Sequence, residues 1–145
     1  VGKGACVCIK NNHVNDAQQK LTTTLLETTG LVEWIDDETL MDAVTAVSGS
    51  GPAYIFYLIE TLALAGENAG LSTEMAMKLA RQTVIGSASL AERDSDLSAT
   101  KLRENVTSPN GTTYAALKVL MDGRMETIFK EAIEAAKKRS EELNS

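Results

Sequence analysis

The sequence predicts a mainly α-helical fold, in which a helical bundle follows a short strand–helix–strand piece of the α/β type. Two runs of small and β-branched residues flank one helical segment before Asp36, and nearly all of the chain after Asp36 has helical periodicity. Glycine and proline separate the helical segments at spacings typical of helix ends. The change of pattern predicts two domains, residues 1–36 and residues 37–145.

The first domain is predicted to contain two strands and one helix. Asp16–Thr28 is the helix, with Leu21 and Leu25 on its inward face. Gly30 is expected to end this helix, because glycine tolerates the left-handed conformation of a helix cap. The two strands are Ala5–Lys10 and Leu31–Ile35.

The second domain is predicted to be helical throughout. The carboxylates of Asp36, Asp37 and Glu38 suit the positive end of a first helix, and a catalytic acid pair is the alternative. Gly49 and Gly51 are expected to break the chain before the next helix. The remaining helices are Pro52–Ala69, Thr73–Ala91, Leu97–Val106, Thr112–Met121 and Met125–Leu143.

The helix Pro52–Ala69 is apolar on nearly every face. Such a helix must be covered all round, and a chain of 145 residues has few other helices for the purpose. We therefore expect a second subunit to cover it, and a central position in a monomeric bundle is the alternative. Its two carboxylates, Glu60 and Glu67, favour a buried helix of a soluble protein over a membrane span.

Charge and cysteine content exclude several functional classes. The formal net charge is -6, and no Lys/Arg-rich stretch offers a footprint for nucleic-acid phosphates. Cys6 and Cys8 would point to one face of a strand, so we expect two buried, reduced thiols and a cytoplasmic location. With His13 as the single histidine, no metal site is predicted.

Two segments are candidates for ligand binding. Residues 105–113 (NVTSPNGTT) form a turn that enters a helix, where free N–H groups and the hydroxyls of Ser108, Thr112 and Thr113 suit a carboxylate or a phosphate. An ordinary Ser/Thr-capped turn is the alternative, and spacing alone favours it. Residues 42–54 (DAVTAVSGSGPAY) form a small-residue junction where a flat ligand could lie, although a tight helix junction explains it equally simply.

Together these motifs, in this order and spacing, resemble the pyrroline-5-carboxylate reductase family, and the resemblance covers essentially the whole chain. Members of that family reduce 1-pyrroline-5-carboxylate to L-proline with NADPH or NADH. An N-terminal Rossmann domain binds the dinucleotide, and a helical C-terminal domain binds the imino acid. The resemblance therefore implies a helical bundle that forms an interlocked homodimer, or a higher homo-oligomer, preceded by the end of a Rossmann-type domain.

The resemblance also implies roles for individual residues. The substrate carboxylate would be bound by Ser108, Gly111 and Thr112. The hydroxyl of Thr113 would approach the ring nitrogen, which makes Thr113 the catalytic candidate. The cofactor's nicotinamide end would face the stretch from Thr45 to Gly51, with these cofactor-binding candidates: Thr45, Ser48, Gly49 and, more weakly, Asn105.

Two departures from the family pattern qualify these expectations. Asn110 stands where many members carry glycine, although asparagine also suits left-handed backbone geometry. No Gly-rich dinucleotide fingerprint (G-x-G-x-x-G) occurs in the chain, so we expect these 145 residues to be inactive alone. The alternatives are a structural dimerisation module, or a small-acid-binding module, of a relative that performs no chemistry.

Overall fold

The computed structural model describes residues 2–144 of the chain. A parallel two-stranded sheet and seven α-helices occur within these residues, so the prediction of a mainly α fold with a short strand–helix–strand start is confirmed. The elements are β1 (Gly4–Ile9), α1 (Asp16–Leu26), β2 (Gly30–Ile35), α2 (Met41–Val44), α3 (Gly51–Asn68), α4 (Thr73–Arg93), α5 (Ala99–Asn105), α6 (Thr112–Leu120) and α7 (Arg124–Asn144).

The chain forms two compact units. The first unit contains the residues up to Gly51 together with those from Glu131 onward, and the second unit is Pro52–Lys130. The first unit therefore extends beyond residue 36 and includes part of the helical segment. The boundary predicted at residue 36 stays a prediction about the whole protein's domains.

In the first unit, β1 and β2 pair in parallel from Gly4 opposite Gly30 to Ile9 opposite Ile35. Helix α1 connects them and begins with a capping box, in which Asn15 and Gln18 each accept a backbone N–H from the other. The helix ends at Leu26, and Gly30 does not cap it. Gly30 instead begins β2 with φ +146°, a conformation that favours glycine.

The inward face of α1 differs from the predicted one. Leu21 and Leu25 are 60% and 62% exposed, whereas Thr23 and Leu26 are half-buried. The indole N–H of Trp34 in β2 donates to the Thr23 hydroxyl at 2.9 Å, which turns this side of the helix towards the sheet. A sheet of two strands can cover only one narrow strip of a helix, so the leucine strip remains open.

The two cysteines are free, as predicted, but they are half-buried and not fully buried. The Cys6 sulfur lies 3.4 Å from the hydroxyl of Thr29, within hydrogen-bonding range for sulfur. The same narrow sheet explains the difference, because one helix shields only part of its surface.

The last helix contacts α2 through hydrogen bonds between residues that are far apart in the sequence. The carboxylate of Asp42 in α2 accepts hydrogen bonds from the Ser140 hydroxyl at 2.6 Å and from the Asn144 side-chain amide at 3.0 Å. Bonds to a charged acceptor are stronger than neutral ones. They join α2 to the C-terminal end of α7.

The second unit is organised by the packing of α3 against α4. Ala63, Ala76 and Ala80 form its buried cluster. Gly66 allows the helices to come close, since a Cβ added there would lie 3.3 Å from the Cβ of Ala76. Ala76 and Ala80 of α4 thus form a surface of small side chains against α3. Ser72 caps α4, and Gly70 ends the preceding segment with φ +104°.

Much of the apolar surface of α3 remains open. Phe56 and Tyr57 are 62% and 70% exposed, and no large side chain is fully buried anywhere in the described residues. An apolar surface of this extent is unusual for a monomeric protein. None of the helices within residues 2–144 has the length and hydropathy needed to span a membrane.

We expect Gly30→Ala to destabilise the first unit severely. A Cβ at this position would lie 2.0 Å from the carbonyl oxygen of Gly4, and φ +146° is unfavourable for alanine. The free energy of unfolding should fall by at least about 2 kcal/mol. Trp34 is the chain's single tryptophan and lies in β2, so its fluorescence during urea unfolding measures this change.

Gly86→Ala is the control. Nothing lies within 4 Å of a Cβ added at this helical position. The substitution should therefore raise the free energy of unfolding by at most about 1 kcal/mol. Equal unfolding midpoints for the Gly30→Ala variant and the wild type would contradict the prediction.

Candidate functional site

The turn between α5 and α6 carries the predicted substrate-binding residues. The Gly111 N–H donates to the Ser108 carbonyl at 3.1 Å and closes a four-residue turn. Pro109 and Asn110 occupy its centre, and Asn110 has φ +57°. Proline followed by a residue with positive φ is characteristic of a type II turn. The expectation that asparagine preserves the turn geometry agrees with this conformation.

The start of the turn is held to the end of α5. The Thr107 N–H donates to the Glu104 carbonyl at 3.0 Å, and the Thr107 hydroxyl donates to the Arg103 carbonyl at 2.6 Å. These bonds occupy two carbonyls in the last helical turn. Thr107 therefore anchors the turn, and its hydroxyl is not available to a ligand.

Helix α6 begins without a side-chain cap. Its N-cap residue is Gly111, which has no side chain to accept an N–H. By contrast, the Ser72 and Ser98 hydroxyls cap α4 and α5. An ordinary Ser/Thr-capped turn is therefore not what forms here, although spacing alone favoured it.

Two threonines in the first turn of α6 have polar groups with no hydrogen-bond partner among the described residues. Neither the N–H groups nor the hydroxyls of Thr112 and Thr113 make a hydrogen bond within residues 2–144, and both side chains are exposed. The positive end of the helix dipole lies behind them. This arrangement can bind a carboxylate or another small anion.

Gly111 differs from the expectation in one respect. The resemblance implies that Gly111 binds the substrate carboxylate, but its N–H is occupied by the bond to the Ser108 carbonyl. Its contribution comes instead from its small size, because an added Cβ would lie 3.2 Å from the Ser108 carbonyl oxygen. The Ser108 hydroxyl is exposed and makes no hydrogen bond in the described chain.

The predicted cofactor-facing residues form a separate feature in the first unit. Thr45–Gly49 is a π-helical turn, in which the Ser50 N–H donates to the Thr45 carbonyl at 2.9 Å. The predicted break at Gly49 and Gly51 agrees with the structure, because the π-helical turn ends at Gly49, Ser50 lies outside any helix, and α3 begins at Gly51.

Pro52 gives a physical reason for the interruption before α3. Proline has no N–H to donate to the Ser48 carbonyl, and its ring crowds that carbonyl in a regular helix. The π-helical turn instead ends at Gly49 and α3 begins at Gly51, so Pro52 lies in a first helical turn, where its missing N–H costs no helical hydrogen bond. π-Helical turns are frequent at functional sites. The Ala46 side chain anchors this turn as a fully buried residue.

The polar surface of this π-helical turn is small and accessible. Thr45 and Gly49 are exposed, and Ser48 is half-buried. The structure thus brings these three candidates together on one turn, and Ser108, Gly111, Thr112 and Thr113 together on another. Asn105 ends α5 as an exposed residue, and its side chain makes no hydrogen bond in the described chain.

The acidic run at residues 36–38 serves a structural role. Asp37 is the N-cap of a short 3₁₀ helix and accepts the Thr39 hydroxyl at 2.7 Å and the Thr39 N–H at 2.9 Å. These bonds hold the pKa of Asp37 below its ordinary value. The predicted capping role is therefore observed at Asp37, and a catalytic acid pair within residues 36–38 stays an alternative prediction. No cluster of three potential metal ligands occurs within residues 2–144.

These features define a mainly helical domain with an uncapped helix start at the turn between α5 and α6. A family profile described as pyrroline-5-carboxylate reductase dimerisation matches residues 38–143. The chain is 45% identical to the pyrroline-5-carboxylate reductase of Pseudomonas aeruginosa, over 97% of its own length and 51% of the relative's. The Mycobacterium tuberculosis enzyme is 42% identical over 99% of the chain and 54% of the relative.

Solved structures show the same relationship. A pyrroline-5-carboxylate reductase from Coxiella burnetii superimposes with a TM-score of 0.91 at 41% identity, covering 98% of this chain and 52% of the other. A Plasmodium falciparum pyrroline carboxylate reductase with NADP bound gives 0.80 at 34% identity, covering 99% and 54%. The chain belongs to the pyrroline-5-carboxylate reductase family and contains its dimerisation domain. It spans about half the length of the curated relatives it matches.

We expect Asn110→Ala to lower the free energy of unfolding by about 1 kcal/mol, because alanine is unfavourable at φ +57°. Asn110→Gly should leave it unchanged or slightly raised, since glycine adopts this conformation freely. Urea unfolding followed by circular dichroism measures both variants. Identical midpoints for the alanine and glycine variants would show that the left-handed conformation of residue 110 is not required.

Proposed function

We propose that the chain is part of an NAD(P)H-dependent reductase that converts 1-pyrroline-5-carboxylate to L-proline. The supporting observation is the uncapped first turn of α6, whose donors at Thr112 and Thr113 have no partner within the described chain. It coincides with membership of a family whose curated relatives carry that enzyme's name. Thr112 and Thr113 are therefore the residues on which the proposal depends most.

The substrate carboxylate binds at the turn between α5 and α6. The chain has a formal net charge of -6, so its overall field does not attract an anion. Local donors must hold it, and a helix N-terminus provides such donors. The N–H groups of Thr112 and Thr113 and the Ser108 hydroxyl supply them. Gly111 keeps the approach open because it has no side chain.

The π-helical turn Thr45–Gly49 binds the nicotinamide end of NADPH or NADH. Its exposed residues are small, so a flat ring can lie close to the backbone. The chain contains no dinucleotide fingerprint, and these residues fit only one end of such a cofactor. We assign the remainder of the cofactor to a dinucleotide-binding domain, of which residues 1–36 form the C-terminal end. Asn105 is a further, weaker contact.

Hydride chemistry is supplied by the nicotinamide, and the protein's task is to position the C=N carbon. The Thr113 hydroxyl lies next to the carboxylate donors on the same helical turn, where it can hydrogen-bond to the ring nitrogen. A pyrrolinium ion can arrive already protonated, so a positioned hydroxyl is sufficient. Thr113 is the catalytic candidate in this scheme.

The functional assembly is a homodimer or a higher homo-oligomer, in the cytoplasm. The open apolar surface of α3, including Phe56 and Tyr57, needs a cover, and the matching family domain is described by its dimerisation. Two copies related by a two-fold axis cover each other's surfaces reciprocally. The two half-buried thiols are compatible with a reducing compartment.

We expect Thr113→Val to lower kcat/KM by about 10²-fold or more in the complete reductase, meaning this chain joined to its dinucleotide-binding domain. Valine keeps the side-chain shape and removes the hydroxyl. Thr113→Ser keeps the hydroxyl and should retain most of the activity. Steady-state oxidation of NADPH with the imino acid as substrate measures both variants.

Thr127→Val is the matched control. The Thr127 hydroxyl is exposed and donates to the Gly123 carbonyl of its own helix at 2.8 Å, so its loss should leave kcat/KM unchanged. Full activity in the Thr113→Val variant would remove Thr113 from the mechanism.

A further prediction concerns the 145-residue chain alone. We expect no NADPH-dependent turnover, because no dinucleotide fingerprint is present. We nevertheless expect L-proline to shift the amide NMR signals of Thr112 and Thr113, and to shift that of Thr107 much less. Turnover by the pure chain would contradict the assignment of the cofactor to another domain. Absence of proline-induced shifts would instead favour a purely structural dimerisation module.

A further inference from the structure

Helix α2 is too short to hold its own position. It contains four residues, Met41–Val44, and an isolated helix of this length is not stable in water. Its N-cap residue, Leu40, provides no side-chain hydrogen bond. Contacts with other parts of the fold must therefore determine where α2 lies. They also determine where the chain enters the π-helical turn Thr45–Gly49, which follows α2 directly.

The C-terminal end of α7 supplies such a contact. Ser140 and Asn144 are four residues apart, so they lie on one face of the helix. The Ser140 hydroxyl and the Asn144 amide donate to the same carboxylate oxygen, Oδ1 of Asp42, at 2.6 and 3.0 Å. Ser140 is half-buried, as are Ile133 and Ala136 on the same face of α7. Within the described chain, these two bonds are the only side-chain hydrogen bonds that α2 makes.

Asp42 also joins the π-helical turn through its backbone. Its carbonyl accepts the N–H of Thr45, the first residue of that turn, and the Thr45 carbonyl accepts the N–H of Ser50 at 2.9 Å. A continuous set of hydrogen bonds thus runs from the end of α7 through Asp42 to both ends of the π-helical turn. π-Helical geometry is rare, and a rare backbone conformation persists where the surrounding contacts determine it.

We infer that Asp42, Ser140 and Asn144 are positioning residues for the turn Thr45–Gly49, and that they fix how closely the nicotinamide approaches the C=N carbon. This inference rests on the proposed function, in which that turn binds the nicotinamide end of the cofactor. The three side chains act through the backbone of the turn. Hydride transfer needs the reacting atoms at about 3–3.5 Å, and a misplacement of about 1 Å can cost about 10²-fold in rate. The end of α7 therefore affects the hydride-transfer step more than it affects substrate binding.

Single-turnover kinetics separate this positioning role from a loss of folded protein. In the complete reductase, with NADPH bound and the imino acid saturating, the rate constant of NADPH oxidation reports the geometry of the reacting groups. The amplitude reports the fraction of folded, cofactor-loaded enzyme. We expect Ser140→Ala/Asn144→Ala to lower the rate constant by at least about tenfold. The amplitude and the imino-acid concentration that gives half the maximal rate should not change.

Ser89→Ala is the matched control. The Ser89 hydroxyl is exposed and donates to the Ile85 carbonyl of its own helix at 2.9 Å, so its removal should leave the rate constant unchanged. Suppose instead that the double variant lowers the amplitude and leaves the rate constant unchanged. The contact would then only stabilise the fold, and the inference would be overturned.

Asp42 provides a second test, because the two donors should act only through its carboxylate. Asp42→Ala should lower the rate constant as much as Ser140→Ala/Asn144→Ala does, and combining all three substitutions should lower it no further. Asp42→Asn keeps an oxygen that accepts hydrogen bonds, so it should retain most of the rate. Multiplicative losses in the triple variant would show that the donors act independently of Asp42, and would overturn the inference.

A milder variant covers the case in which the double variant does not fold. Ser140→Ala alone removes the shorter bond and leaves the Asn144 bond in place. Its rate constant should lie between those of the wild type and Asp42→Ala. A rate constant equal to that of the wild type in both Ser140→Ala and Asp42→Ala would overturn the inference.

The outcomes separate this inference from the proposed function. A complete wild-type reductase that oxidises no NADPH with the imino acid would overturn both. Wild-type turnover, with an unchanged single-turnover rate constant in the Asp42 and α7 variants, would overturn the positioning role and leave the proposed function standing. Proline-induced shifts at Thr112 and Thr113 remain an independent test of the substrate site.

Discussion

The structure depends on the close packing of α3 against α4. Ala63, Ala76 and Ala80 are buried between these helices, and Gly66 provides room for the Cβ of Ala76. Contacts through small residues bring two backbones together but remove little apolar area from water. Together with Ala46 in the first unit, these alanines are the only fully buried apolar residues in the described chain. Most of the larger apolar side chains thus lie outside the core, and this exposed apolar surface is the physical basis of the proposed homodimer.

The two candidate binding segments each contain a local irregularity in a helical part of the chain, but the irregularities differ in kind. Each exposes small or polar groups at an irregular place in a helical chain without breaking the surrounding structure. At Thr45–Gly49 the backbone forms a π-helical turn that ends before Ser50, and α3 begins at Gly51. At Thr112 the helix begins on a glycine, and its first N–H groups have no internal acceptor. Both irregularities are local, and both leave groups accessible that a regular helix would occupy.

The first unit is tied together by polar contacts between distant parts of the chain. Asp42 lies next to the π-helical turn and is bonded by Ser140 and Asn144 from the last helix. The Trp34 indole N–H donates a hydrogen bond to the Thr23 hydroxyl and so joins β2 to α1. These hydrogen bonds orient segments that bury few apolar side chains against one another. Neither pairing has a signature in the sequence, because the partners do not share a helix turn or a strand register.

The sequence by itself determined the order and type of the main elements, to within a few residues at most ends. Helical periodicity, glycine and proline positions, and the caps at Ser72 and Gly70 are local properties, and local forces dominate them. The two motifs likewise identified the family and the turn that carries Thr113. The sequence also indicated that a single chain has too few other helices to cover all the apolar faces of α3.

Only the tertiary structure decided what depends on several elements at once. Burial was mispredicted at Leu21, Leu25 and the cysteines, because a periodic pattern shows which face is apolar but not how much neighbouring surface exists to cover it. The break at Gly49 and Gly51 was predicted, but its form as a π-helical turn followed by Ser50 was not, because glycine permits several backbone geometries without selecting one. The sequence also did not show that the first N–H groups of α6 lack a side-chain cap. A nearby serine or threonine can cap a helix, and only its position in the folded chain determines whether it does.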